Sequence, residues 1–156
     1  MQDKIVFITP DIADKREYLS IDFEEKMRRE QEAVLSSLSG KYDLIVMHDL
    51  YSAEVNAVVS NGTRCLIIDL PYERGNGLTP QTFKPLYQKK PYAKALERVG
   101  EIRGNCSVLV YTGASPSDVN DDVLAKLGIE VIRKDDLRKD IRKIKLCLER
   151  RLGSSP

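Results

Sequence analysis

The chain has 156 residues, enough for one domain, and a chain of that size buries roughly 68–70% of the surface its unfolded form exposes. Lys plus Arg number 25 against 24 Asp plus Glu, a formal net charge of +1 that argues neither for nor against nucleic acid. No run of about 18 apolar residues and no basic-then-apolar leader is present, which argues against a membrane span or secretory signal and makes the cytoplasm the expected location.

Strand and helix signals alternate along the chain. Residues 4–9 read as a first strand, followed by a polar stretch from Asp11 to Ser20. Asp22 and Glu25 then form a capping-box pattern ahead of a helix running to about Leu38, with Phe23, Met27, Val34 and Leu38 near one face. Gly40 stops that helix, and Leu44–Met47 make a continuous apolar strand of the type buried on both faces. A short helix from Ser52 to Val59 ends at the Asn61–Gly62 turn, before a third strand over Cys65–Ile68. Pro80, Pro85 and Pro91 exclude one helix across the next segment, so a loop to about Lys90 and a helix from Tyr92 to Ile102 are expected. Loops of that length are often functional or mobile. Val108–Tyr111 make the fourth strand. Ser117 or Asp118 caps a helix to Leu127, closed by Gly128; Ile129–Ile132 make the fifth strand, and a last helix runs from about Asp136 to Leu152. Cys65, Cys106 and Cys147 lack metal-ligand spacing and read as buried, reduced thiols.

Five such units predict an α/β protein: a flavodoxin-like three-layer sandwich with a five-stranded parallel sheet of order 2-1-3-4-5, helices on both faces and right-handed crossovers. One domain over residues 1–152 is expected, with 153–156 a frayed tail. In such sheets ligands collect outside the carboxyl ends of the strands, so those ends hold the candidate residues. Asp69 follows three aliphatic residues and precedes Leu70–Pro71, where a carboxylate can act as a nucleophile toward a phosphoryl donor. Mg²⁺ suits such a site because it takes oxygen ligands from one or two carboxylates, and Asp11 is the second carboxylate beside Asp69. Thr112 can donate its hydroxyl to a phosphoryl oxygen, and Lys134 can pair with the same group as a point charge.

These residues, with the motifs IIDLPYERGNG (67–77), VYTGAS (110–115) and VIRKDDL (131–137), resemble the response-regulator receiver family over most of the chain. The resemblance implies Asp69 as phosphoacceptor, Thr112 as switch hydroxyl and Lys134 as the phosphate-pairing lysine. The chain departs from that pattern in four places. Receivers carry adjacent acids after the first strand, where Thr9–Pro10–Asp11 supplies one; Lys134 precedes Asp135 rather than a proline; Ile132 stands where an aromatic is expected; and the loop after Asp69 is long. These departures weaken Mg²⁺ binding and the aromatic switch more than the fold, and they describe a divergent or pseudo-receiver.

His48 and Asp49 end the second strand as a general base and its orienting acid would. The second strand lies at the sheet edge, away from Asp69, and no nucleophile stands in a strand–turn–helix elbow, so His48 reads as structural. The last helix carries an apolar face of Leu137, Ile141, Ile144, Leu148 and Leu152. Arg138, Lys139, Arg142, Lys143, Lys145, Arg150 and Arg151 are opposed there by Asp140 and Glu149 alone. Without a nucleic-acid recognition motif, that surface points to a protein partner or a second copy of the chain. The expectation is a regulatory interaction module more than an enzyme. The alternative is a domain or enzyme that binds a nucleotide or other phosphorylated ligand on TGASPSD (112–118) and the following helix end. KIVFITPD (4–11) also resembles the first strand of a glycosyltransferase-type half-domain.

Overall fold

The computed structural model describes residues 2–9, 21–70, 91–114, 116–117 and 119–153, with the backbone alone at 21–24 and 91. Among the described residues ten elements alternate: β1 (Lys4–Ile8), α1 (Ile21–Ser39), β2 (Asp43–Met47), α2 (Ala53–Ser60), β3 (Cys65–Leu70), α3 (Pro91–Ile102), β4 (Ser107–Thr112), α4 (Asp121–Lys126), β5 (Ile129–Arg133) and α5 (Leu137–Leu152). All strand pairs are parallel and the order is β2-β1-β3-β4-β5, so the flavodoxin-like sheet expected from the alternation is the one observed. Among the described residues no helix is long and apolar enough to cross a membrane.

Two cores follow from the alternation of side chains along each strand. One lies beneath α1 and α5, where Ile5, Phe7, Cys65, Ile67, Leu109, Tyr111 and Ile132 meet Val34 and Leu38 of α1 and Ile144, Cys147 and Leu148 of α5. The other joins Val6, Ile8, Leu66, Ile68, Val108 and Val110 to Val55 and Val59 of α2, Ala95 and Val99 of α3, and Leu124 of α4. β3 is buried along its whole length because it has a strand on either side and helices on both faces. β2 is not buried in this way, contrary to the reading of its apolar run: it is an edge strand, and Val46 is 37% exposed. Leu44 still leans on the α1/α5 core, and Ile45 and Met47 on the other.

Local contacts close the helix ends. Ser52 Oγ accepts the Glu54 N–H at 3.2 Å to start α2, and Lys4 Nζ donates to the carbonyls of Val58 and Asn61 at 2.8 and 2.7 Å to finish it. Gly62 follows at φ 78°, a left-handed conformation that an L side chain resists. α4 begins later than expected. Asn120, rather than Ser117 or Asp118, is its cap, with Oδ1 accepting the Val123 N–H at 3.0 Å. Asp136 caps α5 by accepting the N–H groups of Arg138 and Lys139 at 2.9 and 3.2 Å. Two arginines fasten loops at the carboxyl edge: Arg98 donates to the carbonyls of Leu50 and Ser52 at 3.1 and 3.2 Å, and Arg133 to that of Ala114 at 2.8 Å and to Val119 O and Asp121. The proline-rich segment before α3 lies outside the described residues.

Leu109 is fully buried at the centre of β4, so Leu109→Ala should cost about 2–5 kcal/mol in urea unfolding, whereas Leu146→Ala, at a 58%-exposed position on α5, should stay within about 0.5 kcal/mol. Burial pushes the Cys65 thiol from 9.0 up to about 12, and burial with the neighbouring Glu130 carboxylate pushes Cys147 up to about 11. Raised folded-state values mean that this stability is whole below pH 9 and is lost as pH climbs towards 11 and 12. A pH series of urea midpoints should show that decline, and Cys65→Ala should reduce its steepness.

Candidate functional site

The pleat decides which side chains meet at the carboxyl edge. Extending the β1, β3 and β5 rows of the α1/α5 face by two residues, from Phe7, Ile67 and Ile132, brings Thr9, Asp69 and Lys134 to the same side of the sheet. Extending Val108 and Val110 places Thr112 on the other side. In the β3–β4 register Asp69 stands opposite Tyr111, and Leu70 opposite Thr112.

Asp69 is 6% exposed, and both of its carboxylate oxygens are engaged. Oδ2 accepts the Thr9 hydroxyl at 2.8 Å. Oδ1 lies 2.7 Å from Lys134 Nζ, an ion-pair contact outside hydrogen-bond geometry, and no other donor among the described residues reaches that oxygen. The same ammonium lies 2.8 Å from Glu30 Oε1 on α1 and 4.8 Å from the centre of the Tyr111 ring. Gln31, next along α1, donates Nε2 to the Thr9 hydroxyl at 2.5 Å. Tyr111 passes the contact on: its hydroxyl donates to Asp140 Oδ2 at 2.9 Å, and Asp140, buried in the first turn of α5, also accepts the Asp135 N–H at 3.0 Å.

Burial works against the charge of Lys134, but the Asp69 and Glu30 carboxylates outweigh it and hold its pKa above the ordinary 10.5. Burial, with Glu30, Asp140 and Asp69 nearby, raises the Tyr111 phenol far above its ordinary 10.0. The site is therefore a lysine ammonium set between Asp69 and Glu30 and resting on a protonated phenol.

Of the residues singled out in the sequence, Asp69 and Lys134 are brought into contact. Thr112 is fully buried and tied elsewhere, donating its hydroxyl to Leu70 O at 2.8 Å and accepting the Ala114 N–H at 3.0 Å. Asp11 lies outside the described residues. His48 is nearer to the site than its edge strand suggested: Nδ1 is 3.0 Å from Thr9 O, which makes it a brace for the backbone that carries the Thr9 hydroxyl. Asp49 accepts the Tyr51 N–H at 2.9 Å and shapes the turn before α2. Around TGASPSD, Arg133 is committed to loop carbonyls and to Asp121, and α4 opens on Asp121 and Asp122. On α5, Arg138, Lys139, Arg142, Lys143 and Lys145 are exposed. Arg150 pairs with Glu130, and Glu149 with Lys41 at 3.3 Å.

No group of three or more metal-ligating side chains occurs among the described residues. The two carboxylates that converge, Asp69 and Glu30, already have the Lys134 ammonium between them, so the described residues alone do not make a Mg²⁺ site. Thr9, Glu30, Gln31, Tyr111 and Asp140 were not singled out in the sequence. A signal for three of them was present: Glu30 and Gln31 interrupt the Met27–Val34–Leu38 stripe of α1, and Asp140 sits in the apolar stripe of α5.

Removing the ammonium leaves two carboxylates facing each other in an enclosed site. Lys134→Met should therefore destabilise the fold by about 3–5 kcal/mol in urea unfolding at pH 7, while the exposed Lys139→Met should stay within about 0.5 kcal/mol.

No protein-family model matches the chain, and no curated protein is detectably similar to it. Solved structures do match. A de novo designed Rossmann 2x3 fold protein superposes with a TM-score of 0.52 at 13% identity, over 97% of this chain and 92% of its own. The adenylate cyclase from Rhodopirellula baltica gives 0.50 at 10% identity, over 96% and 95%. A response regulator protein from Burkholderia multivorans gives 0.46 at 14% identity over the whole of both chains, too loose a superposition to carry an argument. A designed chain reaches this shape as closely as natural ones do, so the likeness establishes a Rossmann- or flavodoxin-like α/β fold and no more.

Proposed function

We propose that this chain is a receiver-like regulatory module that works through contacts with other proteins, switched in one of two versions by the state of Asp69. One observation supports this above the others: a buried carboxylate at the carboxyl end of the central strand is paired with a lysine arriving from the end of β5. A change of charge at Asp69 alters the hold on Lys134, and Lys134 touches the Tyr111–Asp140 contact at the start of α5. The exposed basic face of α5 then meets an acidic surface on the partner.

In the phosphorylated version, an Asp69 carboxylate oxygen attacks phosphorus and forms the new O–P bond. The bond between phosphorus and the donor's leaving group breaks, and that group departs with the electron pair. Lys134, already 2.7 Å from Oδ1, pairs with the incoming phosphoryl oxygens. Thr112 takes part only by releasing Leu70 O and reaching round the strand end. The step itself runs through Asp69 and Lys134; Mg²⁺ on Asp69 and Asp11 is proposed beside it. In the silent version the same module binds its partner without any modification of Asp69, and the close enclosure of the carboxylate favours this version.

A two-dimensional NMR titration with Mg²⁺ and then with beryllofluoride, a phosphoryl mimic, separates the two versions. Shifts at Asp69, Lys134 and the first turn of α5 that vanish in Asp69→Ala are expected of a working phospho-switch. A spectrum unmoved by millimolar additions overturns the phosphorylated version and leaves the silent one.

A further inference from the structure

The ammonium of Lys134 has two carboxylate holders of different origin. Asp69 belongs to the central strand and is almost fully enclosed; Glu30 belongs to α1 and retains 21% of its side-chain exposure. Their distances to Nζ are nearly equal, 2.7 and 2.8 Å. One positive charge therefore serves two negative ones. Either carboxylate can lose its charge and the lysine still has a partner, but when both lose it an ammonium is left enclosed without a counter-ion, which is costly.

We propose that Glu30 is a positioning residue for Lys134: it competes with Asp69 for the ammonium, so that a change at Asp69 that takes more of the lysine frees Glu30 and one that takes less draws the lysine toward α1, and either passes the state of Asp69 to that helix. The proposal rests on the reading that the state of Asp69 matters, and it deepens that reading without depending on phosphoryl transfer. Gln31 supports it from the next position, because its amide donates to the Thr9 hydroxyl that in turn donates to Asp69 Oδ2. Two successive residues of α1 thus reach the two oxygens of one carboxylate by separate routes. On the opposite face Thr112 is bonded to Leu70 and Ala114 instead. α1 and α5 share one core through Val34, Leu38, Ile144 and Leu148, so a displacement of α1 is felt by the helix that carries the basic surface.

The test is a double-mutant cycle in the full chain with Glu30→Gln, Asp69→Asn and both together, read by urea midpoints and by the amide spectrum of residues 28–34. Each single change should lower the midpoint modestly, and the pair by more than the sum. Asp69→Asn should shift the α1 amides when Glu30 is present and leave them still when it is Gln; Glu32→Gln, at an exposed position on the same helix, should enter no such coupling. If the pair is too unstable to fold, adding Lys134→Met should restore folding, because the unpaired ammonium has then been removed. Additive losses with unmoved α1 amides, or a triple variant no more stable than the double, would overturn the proposal. A wild-type spectrum inert to beryllofluoride alongside a coupled cycle sinks phosphorylation alone; a responsive spectrum with an additive cycle sinks the role of Glu30 alone.

Discussion

An enclosed ammonium between two carboxylates organises the carboxyl edge of this sheet. Lys134 reaches Asp69 from the end of β5, Glu30 from α1 and the ring of Tyr111 from β4, so three elements other than its own converge on one charge. Removing such a charge from water is expensive, and the cost is offset only while the geometry of all its partners holds. That requirement couples the elements: α1 cannot slide along the sheet, nor β5 change register, without worsening the contact. Thr9 adds a hydrogen bond to the Asp69 carboxylate, and Gln31 one to the Thr9 hydroxyl.

The order of the sheet could be read from the alternation of apolar runs and helix signals, because parallel strands covered on both faces leave continuous aliphatic stretches. β2 shows where that inference fails: an edge strand can be just as aliphatic, since its side chains still lean on both cores while no strand among the described residues pairs with its outer flank. Asp69 and Lys134 were legible because each ends an aliphatic run. Thr112 ends one too, but chain order says nothing about pleat parity, and parity sends its hydroxyl to the α2/α3/α4 face. Counting in twos from Phe7 would have found Thr9 instead. Glu30, Gln31 and Asp140 were missed for a different reason: polar residues inside an apolar helical stripe look like imperfections in the pattern until the strand ends they face are known.

The two faces of the sheet are held by different means. On the α1/α5 side, charge and hydrogen bonds run from Asp69 to Asp140 through Lys134 and Tyr111. On the other side, Arg98 and Arg133 fasten loop carbonyls, and Thr112 closes the exit of β4. Charge carried by titratable groups concentrates on the first face, and the second is pinned by guanidinium groups that stay protonated at any ordinary pH. Among the described residues, the contacts of Asp69 therefore run through the first face, while the second is held chiefly by guanidinium groups.

The three cysteines lie at different depths of this architecture. Cys65 opens the central strand, Cys106 sits at the turn into β4, and Cys147 lies on the inner side of α5, all of them buried. Thiols held protonated react slowly while they stay enclosed, so alkylation at each one is limited by how often its surroundings open. The chain thus carries its own set of exchange probes, able to separate the breathing of α5 from opening of the sheet beneath it without any added label.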